Sequence, residues 1–198
     1  METAAAIRGR RAVRVFQDRS VARSTLEALL EAATWAPSPY NSQPWHFVVI
    51  QNRDLVQRAQ ASLRRTALWL WRFRWLLGLL RPALRAPHAR QILEKARFQS
   101  IHPAPVFLLV CGDPSWPGYE IGCAAAVQNL LLAAWDQGLA GTHIGGAPLL
   151  NRDRTLLRRL GVPRGYRVVD ALVLGYPARV PADPPPRKPV AAVSTWIA

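Results

Sequence analysis

At 198 residues, 50% of them apolar and with a mean hydropathy of +0.00, the chain is long enough for one substantial core and bears no mark of disorder. It has no uninterrupted apolar run of about 18 residues, which argues against an ordinary transmembrane helix, and Met1 to Gly9 lack the apolar core and cleavage pattern of a secretory signal. The net charge of +14 is nearly all arginine, with Lys95 and Lys188 the only lysines; it would attract polyanions, acidic lipid headgroups or phosphorylated ligands, yet no zinc finger, RNA-binding sheet or helix-turn-helix accompanies it.

A short N-terminal helix is followed by R-G-R-R-A-V-R-V-F at Arg8 to Phe16, which places four arginines within seven residues around one glycine. The next helix shows Ser24 and Glu27 in capping-box spacing, sets Leu26, Leu29, Leu30 and Ala33 on one face, and ends before Pro37. Then comes A-P-S-P-Y-N-S-Q-P-W-H-F-V-V at Ala36 to Val49. Ser38, Asn41, Ser42 and Gln43 stand between stiffening prolines and run into a strand at about His46 to Gln51, anchored by Trp45 and Phe47. Polar groups on a rigid turn beside a buried strand suit a flat, partly apolar ligand.

Residues 53 to 65 read as a basic helix, and Ala67 to Leu80 (A-L-W-L-W-R-F-R-W-L-L-G-L-L) as an apolar, tryptophan-rich helix carrying Arg72 and Arg74 and bounded by Pro82 and Pro87. Val106 to Cys111 is a continuous apolar strand. Tyr119 to Gln137 is a long helix, apolar all round and hence expected to be largely buried, with Gly138 as its stop. A turn T-H-I-G-G at Thr142 to Gly146, a basic helix opened by Asp153 and a strand from Arg167 to Leu174 follow. The tail from Pro177 is proline-rich, holds Arg187 and Lys188, and returns to an apolar end at Trp196.

The two cysteines, Cys111 and Cys123, have no metal-ligand spacing and are expected to be buried thiols in a reducing cytoplasm; the four histidines make no zinc pattern. No internal repeat occurs, and one domain over 1–198 is expected, with the tryptophan-rich helical segment at about 66–86 inside it. Helices outnumber and separate the strands, which predicts an α+β architecture: a central mixed sheet wrapped by helices, not an open doubly wound one. The missing G-x-G-x-x-G turn argues against a nicotinamide-binding Rossmann unit.

Four segments, taken in order and spacing, resemble the nitroreductase family, homodimeric flavoenzymes that bind FMN. They are R-R-A-V-R-V-F near the start, A-P-S-P-Y-N-S-Q-P-W-H-F-V-V, A-A-A-V-Q-N-L-L-L-A-A-W-D-Q-G-L at 124 to 139 and L-G-Y-P at 174 to 177. The resemblance covers most of the chain. It implies a mainly antiparallel sheet and an intertwined homodimer with flavin sites at the subunit interface. It further implies a cytoplasmic FMN-dependent oxidoreductase that moves a hydride from NADH or NADPH through flavin N5 to a small-molecule acceptor in a ping-pong cycle. Nitroaromatics, quinones and activated alkenes are the acceptor classes.

Carried over residue by residue, the resemblance gives the FMN phosphate to Arg10, Arg11 and Arg14, with Ala12 where many relatives have a serine. Guanidinium forks and backbone N–H groups suit a phosphate of nearly two negative charges. Pro37, Ser38, Pro39 and Asn41 would lie along the neighbouring subunit's flavin, and Gln43 would help to fix that turn. Ile144, Gly145 and Gly146 would form the loop beneath the ring, where glycine permits close approach; some relatives carry a glutamate where this chain has Gly145. Arg187 would be a further phosphate contact, with Pro185 in place of a lysine often found there, and Arg97 a polar flavin contact. No catalytic side chain and no metal is expected, because the flavin carries the chemistry.

Trp69, Trp71, Phe73 and Trp75 spread around their helix, and three readings stay open: dimer interface or ordinary packing, a lid giving an aromatic substrate a stacking wall, or contact with a membrane surface. Two alternatives for the whole chain also stand. One is an enzyme of the same fold that oxidises a bound substrate with oxygen or fragments flavin. The other, of a different class, is a basic module for nucleic acid or an anionic membrane surface; with the flavoenzyme reading, no nucleic-acid partner is expected.

Overall fold

A computed structural model describes residues 2–73 and 101–197. Five helices, numbered here among the described residues, are α1 (Thr3–Gly9), α2 (Arg23–Thr34), α3 (Arg53–Arg72), α4 (Tyr119–Asp136) and α5 (Arg154–Arg159). The strands are β1 (Trp45–Ile50), β2 (Val106–Gly112), β3 (Ala140–His143) and β4 (Arg167–Gly175). They form one sheet in the order β1-β2-β4-β3, with every neighbouring pair antiparallel. Among the described residues the one parallel pairing is an isolated bridge of Ala12 to Gly141 at the β3 edge, so the sheet is the expected mainly antiparallel one.

β2 is buried at every position, which is why it reads as an unbroken apolar run. Its alternate residues feed two cores. Val106, Leu108 and Val110 meet Leu26 and Leu29 of α2 and Val127, Leu130 and Leu131 of α4. Phe107, Leu109 and Cys111 meet Leu63 of α3 with Leu150, Leu156 and Leu157. Trp45 and Phe47 pack against the first core, as their anchoring role requires. Both thiols are free and buried, and burial pushes the pKa of Cys111 up to about 12 and that of Cys123 up to about 11.

Several local expectations need correction. Ser24 and Glu27 do not form a capping box: α2 starts on Ala22 without a side-chain cap, and Glu27 is taken by the Arg23 guanidinium at 2.8 Å. An exposed arginine one turn away competes for the carboxylate that a capping box needs. The basic and tryptophan-rich helices are not separate up to Arg72, since α3 runs unbroken from Arg53; its start is capped by Asn52, whose side chain accepts from the Leu55 N–H at 3.1 Å. Thr142 and His143 belong to β3 and not to a turn, paired with Val173 and Leu172. Asp153 opens α5 as expected, accepting from the Leu156 N–H at 3.0 Å.

Helix α4 also departs from its pattern. Cys123, Ala126, Val127, Leu130, Leu131 and Ala134 are buried, yet Ile121 is 70% exposed and Ala124 and Gln128 face outward. The helix that reads as apolar all round thus leaves one face uncovered in the single chain. Arg97, Trp75, Pro82 and Pro87 lie outside the described residues. Among the described residues no helix is long and apolar enough to cross a membrane, and no group of His, Cys, Asp and Glu could hold a metal ion.

Candidate functional site

The arginine-rich ribbon is held by backbone pairing. The Val13 N–H donates to Gly141 O at 3.3 Å, the Gln17 N–H to Tyr176 O at 2.9 Å and the Ala178 N–H to Val15 O at 3.0 Å. Residues 12–17 therefore lie between the β3 edge and the outgoing chain after β4, and Val13 is fully buried beneath them. Upstream, α1 packs on the C-terminal end of α4: a Cβ on Gly9 would meet Trp135 Nε1 at 3.1 Å. Arg11 folds its Nη1 back onto the carbonyls of Arg8 and Gly9, at 2.8 and 2.9 Å, so part of this guanidinium is committed to closing α1.

Arg10 is left differently. Its pKa is lowered first by burial and then by the positive charges of Arg187, in the proline-rich tail, and of Arg11. Among the described residues no carboxylate pairs with Arg10, Arg14 or Arg187. Arg187 is exposed and donates weakly to Pro185 O at 3.3 Å. Ala12, Arg14 and Val15 line a hollow of about 230 Å³ together with Arg179 and Pro181. Arg10 is partly buried while Arg14, Arg179 and Arg187 are exposed, and cations without a paired carboxylate suit an anion.

At the far end of β3 the chain turns. The Ile144 N–H donates to Ala171 O at 2.8 Å, and the buried Ile144 side chain anchors the turn in the second core. Gly145 is exposed with nothing within 4 Å of the place a Cβ would occupy, whereas Gly146 is buried. Among the described residues neither glycine N–H finds an acceptor, so both can donate to a ligand. Just before the turn, His143 Nδ1 lies 2.6 Å from Asp170 Oδ2. Asp170 is itself fixed by the Ala171 N–H at 2.7 Å. With the carboxylate as acceptor, Nδ1 of this half-exposed ring is the donor and Nε2 is left as an acceptor.

The proline-bounded motif is more strained than its sequence suggests. Tyr40, Asn41 and Gln43 have φ of 54°, 51° and 44°, a left-handed region that non-glycine side chains seldom adopt. Three hydrogen bonds of 3.0 Å impose it: the Asn41 N–H to Ser38 O, the Ser42 N–H to Pro39 O and the Gln43 N–H to Ser38 Oγ. Gln43 thus serves the turn through its backbone. Asn41 and Gln43 are exposed, Tyr40 is 86% exposed, and Ser42 Oγ is buried without a partner.

This motif rests on the N-terminal part of α4, where a Cβ on Gly118 or Gly122 would meet Pro39 Cγ at 3.0 Å or Ser38 Cβ at 3.2 Å. The arginine ribbon rests beside Trp135, near the other end of the same helix. At 1.5 Å of rise per residue, Gly122 and Trp135 are about 20 Å apart. Ribbon and glycine turn are thus joined through β3 within one chain, while Pro37, Ser38, Pro39, Asn41 and Gln43 stand apart from the ribbon. Arg179, His102, whose pKa is lowered by burial and then by Arg14, and the His143–Asp170 pair were missed by reasoning from sequence.

A family model described as the nitroreductase family matches residues 7–176. A 4-nitrobenzoate reductase from a Nocardioides species is 49% identical over 199 residues, covering 87% of this chain and 79% of the relative. A nitrobenzene nitroreductase from Ectopseudomonas oleovorans is 31% identical over 161 residues, covering 67% of this chain and 69% of the relative. The crystal structure of a nitroreductase with bound FMN from Bacteroides fragilis superposes with a TM-score of 0.76 at 25% identity, covering 100% of this chain and 99% of that one.

Proposed function

The chain belongs to the nitroreductase family, and from that premise we propose that it is an FMN-dependent oxidoreductase working with NADH or NADPH. One observation carries the reading: the arginine ribbon is paired at Ala12 and Val13 to Gly141 of β3, the strand that leads into the Gly145–Gly146 turn, and among the described residues no carboxylate pairs with its Arg10 or Arg14. The residues present fit FMN. Its phosphate would be held by Arg10, Arg14 and Arg187, with Arg11 lending what its guanidinium has left, and the N–H groups of Gly145 and Gly146 would face the ring. Bound there, the flavin would supply hydride transfer from reduced nicotinamide to an electron-poor acceptor. The protein binds and orients, and excludes water from the ring face. His143, held through Nδ1 by Asp170, would have Nε2 as a hydrogen-bond acceptor just before the turn.

The strained motif fits a neighbour's site. If two copies pack their α4 helices antiparallel about a two-fold axis, the N-terminal end of one α4 lies beside the C-terminal end of the other. The motif on one chain then reaches the arginine ribbon of its partner across the 20 Å or so that separate them within one chain. Ile121, Ala124 and Gln128 supply the face that would be covered. The Nocardioides relative makes nitroaromatics the first acceptor class to test. The single-domain organisation over 1–198 is part of the same reading.

The test is spectroscopic. The purified protein is expected to bind FMN stoichiometrically and to bleach anaerobically on addition of NADH or NADPH, with colour restored by 4-nitrobenzoate. Arg10→Ala is expected to weaken FMN about tenfold or more by removing a charged hydrogen-bond donor. A protein that takes up no FMN on titration would exclude the reading.

A further inference from the structure

A second basic site lies away from the ribbon. The segment from Asn151 to Arg167 reads N-R-D-R-T-L-L-R-R-L-G-V-P-R-G-Y-R, in which one aspartate faces six arginines. Five of these, Arg152, Arg154, Arg158, Arg164 and Arg167, line a single groove of about 1030 Å³ and come from four places: the 3₁₀ turn before α5, α5 itself, the loop after it and the start of β4. No acidic residue lines the groove among the described residues. The nearby Asp153 is already engaged by the Leu156 N–H, by Ser62 Oγ at 2.7 Å and by Arg65 at 3.1 Å, so it does not neutralise the groove.

The walls are fixed. Asn151 brackets β4 in both directions, donating to Val168 O and accepting from the Val168 N–H, each at 2.8 Å. The bonds of Asp153 to Ser62 and Arg65 tie α5 to α3, and the Arg152 guanidinium stacks 4.9 Å above the Trp69 ring. Between the arginines the lining is apolar and aromatic, with Leu157, Val162 and Pro163 beside Tyr166. The Tyr166 ring is held edge-on by His46, at 5.9 Å between centroids. Guanidinium groups for phosphate and an aromatic and apolar wall for a base are the two halves of a nucleotide site. At about 1030 Å³ the groove stands at the upper end of small-molecule pockets, which run to roughly 1,000 Å³.

We infer that this groove binds a nucleoside diphosphate or a ligand carrying that group, with Arg158 and Arg164 on the phosphates and Tyr166 beside the base. None of the ribbon arginines lines the groove, whose lining after Pro114 begins at Pro148, two residues beyond the glycine turn, and the inference does not rest on the proposed function. The experiment is calorimetric titration of the full chain, saturated with FMN, with ADP and separately with inorganic pyrophosphate. ADP is expected to bind more tightly than pyrophosphate, because only ADP uses the apolar wall. The double variant R158A/R164A is expected to weaken ADP by about tenfold or more, while R58A/R64A, which removes the same charge from exposed positions on α3 outside the groove, leaves ADP affinity within about twofold. No heat with ADP, an equal loss in both double variants, or binding of a duplex oligonucleotide that R158A/R164A abolishes while ADP does not bind, would each overturn the assignment. Because Arg158 and Arg164 are exposed, loss of ADP with an unchanged thermal midpoint reports binding and not unfolding.

Discussion

Arg10 is held partly desolvated among like charges, an arrangement that an anion would relieve. The same electrostatics reach His102, whose pKa lies below the usual 6.5 because of burial first and the Arg14 charge second. A phosphate bound at Arg14 cancels the second cause, so FMN is expected to raise the His102 pKa. The bound form then holds its proton more tightly than the free form, and FMN affinity is expected to increase as pH falls through the window between the two values. For folding the sign follows from the unfolded chain protonating first. The contribution of His102 is undiminished well above pH 6.5 and declines as pH drops through that value toward the lower folded pKa. NMR titration of the His102 ring with and without FMN checks this, and an unmoved pKa would place the phosphate elsewhere. Arg10, Arg11 and Arg14 stand out in the sequence as a cluster around Gly9, and the family resemblance is what assigns them to a phosphate. His143 and Asp170 do not stand out: 27 positions apart, they are joined only by the register of β3 on β4.

Among elements, those with a continuous apolar or one-faced pattern were legible, while α3 was read as two helices and β3 as part of a turn. β2 and α4 announce themselves by continuous apolarity, and α2 by its stripe, since burial alone determines those patterns. β3 has four residues, including Gly141 and Thr142, and reads as part of a turn; it is a strand only because β4 pairs with it. Yet β3 carries both halves of the candidate site, receiving the ribbon at Gly141 and ending in the glycine turn. Gly141 leaves no room for a side chain: a Cβ would lie 2.6 Å from Leu174 Cδ2 and 2.7 Å from the Val173 carbonyl oxygen. The carbonyl belongs to the paired strand and cannot turn aside. Gly141→Ala is therefore expected to destabilise the fold by about 1–3 kcal/mol, as overpacking does. It should also push the Ala12–Val13 pairing off the edge, weakening FMN beyond what the stability loss explains. Urea unfolding and FMN titration well below the unfolding midpoint separate the two effects, and wild-type FMN affinity in a destabilised Gly141→Ala would show that the ribbon does not depend on β3.

For the whole molecule, the described residues leave several large apolar side chains uncovered in the single chain. Trp35 and Trp196 are 81% and 88% exposed, and Val190, Val193 and Ile197 line the extended tail that leads to Trp196. Together with the bare outer face of α4, this is more large apolar surface than isolated solvated side chains account for. The composition shows the apolar residues but not which of them lack a partner, because that depends on where the tail and α4 end up. Pairing through α4 covers the helix face, and the tail can then lie across the second chain. Each chain carries +14, so two copies repel over long range while their apolar faces attract at contact. Added salt screens the repulsion and leaves the apolar contact intact, so the dimer is expected to tighten as ionic strength rises from about 0.01 to 0.15 M, where the Debye length shortens from about 30 to 8 Å. Sedimentation across that range, on the wild type and on Ala124→Arg, is the measurement. Ala124→Arg places a charge on the outward face of α4 without touching the core. It is expected to give a folded monomer whose FMN affinity is reduced by about a hundredfold, the loss of one strongly packed side of a cofactor site. A monomer that binds FMN as tightly as the wild type would mean that the strained motif serves its own chain, and that the distance along α4 is bridged by some other path.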